Sequence, residues 1–144
     1  MPTQPLIRSA SPDDAGRLAQ LCDELGYPST EQDVLDRLVL LDDPERALLI
    51  AVRDDVVLGF IDVHVQRVVE EDAFGEVGGL VVSEGERGTG LGRFLLDAAA
   101  EWSRARSLPR LWIRANLARE GVHEFYVRVG CRHIKDQRVY EYPL

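Results

Sequence analysis

The residues of this 144-residue chain best suited to chemistry are Arg87-Gly88-Thr89-Gly90-Leu91-Gly92. Alternate glycines strip side chains from a short run of backbone, so its N–H groups can approach an oxyanion closely. Arg87 adds a guanidinium able to make charge-assisted hydrogen bonds to phosphate. An apolar, strand-like run, Leu80-Val81-Val82, precedes the loop. After it, Leu91, Phe94, Leu95, Ala98, Ala99 and Trp102 recur at the spacing of one helix face. Strand, glycine loop and helix together present unbonded N–H groups and a positive helix end, which is what a phosphate needs. The pattern predicts a pyrophosphate cradle; a plain helix-entry turn would require only one glycine.

Spacing separates this loop from two other phosphate binders. A dinucleotide fold carries G-x-G-x-x-G after its first strand, with an acidic residue about 20 positions on. Here the glycines run G-x-G-x-G and come late in the chain. A P-loop ends in G-K-[ST], and this loop has no lysine.

The elements that must position the cradle can be read in order. Residues 6–8 are extended. Ser11, Pro12, Asp13 and Asp14 open a first helix, with Ala15, Leu18, Ala19, Cys22 and Leu25 on its buried face and Gly26 at its end. A second helix starts at Ser29 or Thr30 and shows Val34, Leu35, Leu38 and Leu41. Residues 47–53 and 56–68 read as a hairpin across Asp54-Asp55, and residues 76–82 as a strand with a bulge at Gly78-Gly79. Beyond the cradle helix come a strand over 111–115 ending at Asn116, a helix over 119–129 capped by Gly130, and a final hairpin pairing 131–134 with 139–142. The order is strand, two helices, three strands, helix, strand, helix, two strands, a mixed α/β sheet and not a run of βαβ units.

The totals agree with one soluble domain over residues 1–144, long enough to bury roughly two thirds of its unfolded surface. No apolar run approaches the ~18 residues of a membrane span, and residues 1–10 lack the basic and apolar regions of a signal peptide. Cys22 and Cys131 have neither metal nor redox spacing and are expected to be buried thiols in a reducing cytoplasm. A net charge of −8 argues against nucleic acid and favours a cationic partner. No metal is expected.

Arg87-Gly88-Thr89-Gly90-Leu91-Gly92 resembles the R/Q-x-x-G-x-G/A signature of the GNAT N-acetyltransferases, which bind the pyrophosphate of acetyl-CoA. The element order also resembles theirs over nearly the whole chain. Glu124-Phe125-Tyr126 followed by Gly130-Cys131 is similar to the family's helix tyrosine and glycine–aromatic segment, with Cys131 departing where an aromatic is usual. The resemblance implies a central, mostly antiparallel sheet of about six to seven strands flanked by about four helices. It also implies transfer of an acetyl group from acetyl-CoA to a primary amine by direct attack in a ternary complex.

By that resemblance, Leu80, Val81 and Val82 pair with the pantetheine arm, while Arg87, Gly88, Thr89, Gly90, Leu91 and Gly92 hold the pyrophosphate. Asn116 meets the pantetheine, or else simply ends its strand. Tyr126 matches the family's general acid; a phenol with pKa near 10 can protonate a thiolate leaving group, and the alternative is a packing tyrosine beside Phe125. Glu76, early on the cofactor strand, is the candidate base for an amine mostly protonated at neutral pH, or else a solvated strand-end charge. His123, Asp62, His64 and Arg119 are weaker candidates. Glu24, Tyr27, Pro28, Glu70, Glu71 and Asp72 fall near the expected acceptor site and suit a small cationic amine, aminoglycoside- or polyamine-like. A protein N-terminus or lysine as acceptor, a longer acyl group, and a non-catalytic acyl-CoA-binding regulator stay open. Residues 139–142 offer an exposed edge for a homodimer.

Overall fold

The chain's first turn is set by one carboxylate. Asp14 accepts from the Ser11 N–H at 2.8 Å and takes a two-pronged ion pair from Arg8, both contacts 2.9 Å. A 3-10 turn, Pro12–Asp14, leads into α1, Ala15–Leu25. Gly26 stops α1 in the left-handed conformation (φ 97°), as its missing side chain allows. Thr30 and Asp33 exchange reciprocal bonds of 2.9 and 3.0 Å, a capping box that starts α2, Glu31–Arg37. The helix tightens into a 3-10 turn over Leu38–Asp42. The computed structural model describes residues 3–144.

The strands are β1, Leu6–Ser9; β2, Arg46–Arg53; β3, Val56–Gln66; β4, Phe74–Val82; and β5, Leu111–Ile113. They form one sheet in that order, antiparallel except for the parallel β4/β5 pair. Asp54 and Asp55 both have positive φ (51° and 64°), the left-handed pair that a tight two-residue hairpin demands. β5 runs parallel to β4 because α3, Leu91–Ala105, crosses between them.

Each sheet face is buried by helices. Ile50, Val57, Phe60 and Val81 pack with Ala15, Leu18, Ala19 and Leu21 of α1 and Val34 of α2. On the other face, the bare backbone of Gly59 and Gly75 meets Leu95 and Ser103 of α3. The buried positions of α3 are Leu91, Leu95, Leu96, Ala99 and Ser103. Phe94, expected on that face, is exposed instead; the helix is turned so that Ala99 and Ser103 oppose the sheet and Leu96 replaces it.

The chain divides into two units, the first through Arg114 and the second from Ala115 to Leu144. The second contains α4, Val122–Arg128, entered through Gly121 at φ 77°. Five strands form, fewer than the six to seven expected. The expected hairpin of 131–134 with 139–142 is absent among the described residues, where 131–144 carry no regular structure. The alternation in Val139, Tyr140 and Tyr142 reads as strand, but β propensity acts only where a ladder and a packed face exist. These side chains are exposed, and nearby His133 Nε2 lies 2.9 Å from Asp136 Oδ1.

Candidate active site

β4 and the start of α3 supply the frame. β4 pairs with β3 along its length, but the register slips between Asp62 and Val63, leaving Gly78 as an extra residue on β4. This is the bulge expected at Gly78-Gly79. On its other side β4 pairs with β5 only through Gly75, Glu76 and Val77. From Gly78 to Val82, that edge therefore has no ladder partner among the described residues. Leu80, Val81 and Val82 lie on this stretch, and their N–H and C=O groups on the open side are available to an extended ligand.

The loop after β4 is tied at its entrance. The Ser83 N–H donates to Leu58 O at 2.7 Å. Arg17, from α1, donates to Val57 O at 3.0 Å and to Ser83 Oγ at 3.1 Å. After a 3-10 turn, Glu84–Glu86, the Glu86 carboxylate is held by Arg53 at 2.9 Å and its carbonyl accepts from Thr89 Oγ1 at 2.6 Å. Gly88 and Gly90 then take φ of 81° and 88°. No protein atom lies within 4 Å of where a Cβ would stand at either position, so packing within the chain does not demand glycine there. The left-handed backbone does, and it turns the chain into α3. Phe94 N–H closes the first helical bond, to Gly90 O at 3.0 Å. The N–H groups of Leu91, Gly92 and Arg93 precede it at the positive end of a fifteen-residue helix. Arg87, Gly88, Thr89 and Gly90 are exposed beside them.

Glu76 is buried on β4, opposite His64 of β3 and Trp112 of β5. Its Oε1 accepts from Arg114 Nε at 2.8 Å, while Oε2 is buried without a hydrogen-bond partner among the described residues. His64 Nδ1 is likewise buried and unbonded. Residues directly opposed in a ladder share a face, so both orphaned atoms lie on one side of the sheet. Buried polar atoms of this kind are uncommon and mark places where water or a ligand completes the bonding. Asp62 stands on the same face, two residues before His64. Burial pushes its carboxyl up from the ordinary value, and the charges of Arg46 and His64 oppose that rise.

In the second unit, Tyr126 is half-buried on α4, edge-on to Phe125 with ring centroids 5.1 Å apart. Burial raises its phenol above the usual range; Cys131 adds to the rise and Arg119 opposes it. The group is therefore a protonated donor at neutral pH. Asn116 Oδ1 accepts from Ala118 N at 2.9 Å, a local turn three residues past the end of β5. His123 packs edge-on to His133 at 5.8 Å. Of the acceptor-side residues, Glu71 is paired with Arg110 at 2.9 Å and Tyr27 is exposed. Among the described residues, no group of three or more His, Cys, Asp or Glu side chains is placed to hold a metal ion.

Arg114, the partner of Glu76, was not singled out by sequence. It lies one residue past the end of β5, two residues after Trp112, which pairs with Glu76. Arg17 and Arg53, which anchor the loop, carry no sequence signal, being distant in the chain and joined to it only by folding.

In this mixed sheet the fourth strand parts from its neighbour beside a helix entered through a glycine. The chain belongs to the acetyltransferase (GNAT) family, whose model matches residues 13–131. It is an acetyl-CoA-dependent N-acetyltransferase. Among solved structures, it is similar to a transcriptional regulator from Bacillus halodurans C-125, at 17% identity and TM-score 0.86, covering 96% of this chain and 100% of that one. A ribosomal-protein-alanine N-acetyltransferase from Brucella melitensis biovar Abortus 2308 matches at 22% identity and TM-score 0.78, covering 97% and 100%. An aminoglycoside N-acetyltransferase, AAC(6')-Iy, in complex with CoA matches at 18% identity and TM-score 0.85, covering 98% and 96%. At these identities the likeness is one of fold. No curated protein matches the chain significantly by sequence.

Proposed function

We propose that the chain, as a single N-acetyltransferase domain over residues 1–144, acetylates a small cationic amine by direct transfer. The observation that carries the reading is the pairing of a positively ended, glycine-turned helix start with the open edge of β4 from Gly78 to Val82. In this reading Arg87, Gly88, Thr89, Gly90, Leu91 and Gly92 hold the pyrophosphate, Leu80, Val81 and Val82 bind the pantetheine arm, and Asn116 contacts it. Acetyl-CoA supplies the activated thioester. Glu76 takes the proton that the amine loses, through Oε2, since Oε1 is engaged by Arg114. Tyr126 gives a proton to the sulfur as the carbon–sulfur bond breaks and the carbon–nitrogen bond forms.

The chain's net charge of −8 supports an acceptor of the aminoglycoside or polyamine kind, drawn in as a cation. The alternative acceptor is a protein N-terminus or lysine. Cytoplasmic location is supported by two free thiols, Cys22 and Cys131. No helix among the described residues is long and apolar enough to cross a membrane. Homodimerisation is proposed through the exposed Val139, Tyr140 and Tyr142, and size-exclusion chromatography at rising concentration tests it.

Thermal unfolding with acetyl-CoA, CoA, ATP and NADH tests the cradle. A ligand at 100 times its Kd adds about 2.7 kcal/mol to the folded state. Stabilisation by both CoA species alone is expected. Stabilisation by ATP or NADH alone overturns the assignment of Arg87 to Gly92. Tyr126→Phe is expected to lower kcat by roughly 10²-fold; unchanged turnover removes Tyr126 as the acid.

A further inference from the structure

A base that takes a proton in each turnover must also lose one. Acetyl transfer to an ammonium removes two protons from nitrogen; one ends on the CoA sulfur and the other reaches solvent. With Glu76 as the base, the second proton first rests on a carboxyl that is only 9% exposed. A buried acid without an outlet would stay protonated and stall the next turnover.

The neighbours of Glu76 narrow that outlet to one side chain. Glu76 stands in a row across the sheet: Arg46 on β2, His64 on β3, Glu76 on β4 and Trp112 on β5. An indole N–H only donates and a guanidinium stays protonated, so neither Trp112 nor Arg114 can take the proton. Asp62, another acceptor on this face, stands opposite Gly79 beyond the bulge and not opposite Glu76. His64 does stand opposite it, and imidazole is the side chain that both takes and gives up protons near neutrality.

The orphaned atoms agree with that choice. Glu76 Oε2 and His64 Nδ1 are both buried and unbonded. Opposed residues of an antiparallel pair have Cβ atoms about 5 Å apart, so their polar tips can share one water. A buried water is held by two or more polar partners, which these two atoms supply. His64 as a whole is only half-buried, so its ring leads from the sealed carboxyl towards solvent.

Charges of both signs face the ring. Arg46 opposes it on β2, Asp62 lies two residues before it on the same face, and Arg114 holds Glu76 Oε1 at 2.8 Å. From the helices, Arg37 of α2 lines a groove together with Arg46 and Asp62. A proton arriving on the ring is met by the Asp62 carboxylate, and its departure relieves repulsion from Arg46.

We propose that His64 is the proton relay of Glu76: a bound water joins Glu76 Oε2 to His64 Nδ1 and carries the amine's proton from the carboxyl to the imidazole, which releases it to solvent. The O–H bond at Oε2 breaks as the water takes that proton, and the water gives one of its own to Nδ1. The imidazolium then returns one proton to bulk water, and both groups are restored. The inference rests on the reading of Glu76 as the base. His64 acts through Glu76 and not on the thioester.

A crystal structure of the CoA complex should show one ordered water within hydrogen-bond reach of both Oε2 and Nδ1. No such water, or either atom bonded elsewhere, overturns the relay. The kinetic test uses His64→Gln, which keeps a polar side chain and cannot carry a proton. Kanamycin, spermidine and phenethylamine are the probe amines, and CoA-thiol release is the readout. His64→Gln should lower kcat roughly tenfold and leave the KM for acetyl-CoA within about twofold. Imidazole added at constant ionic strength should restore the variant's rate with rising concentration and leave the wild type unchanged. The double variant Glu76→Gln/His64→Gln should be no slower than Glu76→Gln alone, since the relay then has nothing to carry. Unchanged kcat in His64→Gln, a loss that imidazole does not repair, or losses that add in the double variant each overturns the inference and leaves Glu76 its role. Full activity in Glu76→Gln, or acceptance of none of the three amines, overturns the reading beneath it and the relay with it.

Discussion

Arg114 and Glu76 are joined at 2.8 Å through a single carboxylate oxygen, and the other oxygen of Glu76 is buried and unbonded. One oxygen is thereby fixed, and in the proposed mechanism the other receives the amine's proton. Glu76→Gln keeps the shape and removes the acceptor. The expected outcome is a fall in kcat of roughly 10²- to 10³-fold at neutral pH, with the KM for acetyl-CoA changed less than about twofold. Without a base, only the free amine reacts, so the variant's rate should climb about tenfold per pH unit towards the amine's own pKa near 10. A flat pH profile would place the proton acceptor elsewhere.

The cradle makes a separable prediction. Arg87 is exposed, so Arg87→Ala should leave unfolding within about 0.5 kcal/mol of the wild type. Losing one charge-assisted bond to phosphate should still weaken CoA binding by roughly tenfold. Gly90→Ala forces a side chain into a backbone at φ 88° and should cost about 1 kcal/mol of stability as well as affinity. Calorimetric titration with CoA, beside thermal unfolding, separates the two effects.

What could be read in advance was whatever the local pattern dictated. Ser11 and Pro12 start a helix, Gly26 ends one, and Asp54-Asp55 turns a hairpin, because each is a backbone constraint confined to a few residues. The loop from Arg87 to Gly92 was legible for the same reason, with Gly88 and Gly90 both at positive φ. Features arising between distant segments were not. The Glu76–Arg114 pair spans 38 positions and the Arg53–Glu86 pair 33, and no local pattern announces either. Phe94 and the 139–142 segment misled in the opposite direction, since periodicity names an apolar face without saying what covers it. Asp62 was only a weaker candidate in the sequence because its place against the bulge depends on a register slip.

Two glycines offer a paired test of the packing. A Cβ on Gly59 would stand 2.6 Å from Val81 O, 3.1 Å from Leu95 Cδ1 and 3.3 Å from Val82 Cα. Backbone cannot give way as a flexible side chain can, so Gly59→Ala should destabilise by about 2 kcal/mol in urea unfolding. Because the displaced atoms belong to β4 and α3, CoA affinity should fall with stability. At Gly85 nothing lies within 4 Å of a Cβ, and Gly85→Ala should change stability by less than about 0.5 kcal/mol. Equal effects at the two positions would contradict the close approach of β3 to β4.

Asp14 makes acid sensitivity predictable in sign. The hydrogen-bonded Arg8 guanidinium, with help from the Ser11 backbone and against the cost of burial, holds its carboxyl below the ordinary value of 3.8. A carboxylate lowered in the folded state stabilises fully above its unfolded pKa, and that contribution is lost as pH falls through the folded value. Asp14→Asn should therefore lower stability at pH 7, and the gap from the wild type should close progressively below about pH 4. Arg8 is about half exposed, which screens the pair and keeps the expected loss near 1 kcal/mol, or roughly 3 °C in Tm. Thermal unfolding of both proteins from pH 7 to pH 3 measures the gap directly. A difference independent of pH would mean that Asp14 contributes through packing and capping shape alone, with no share from its charge.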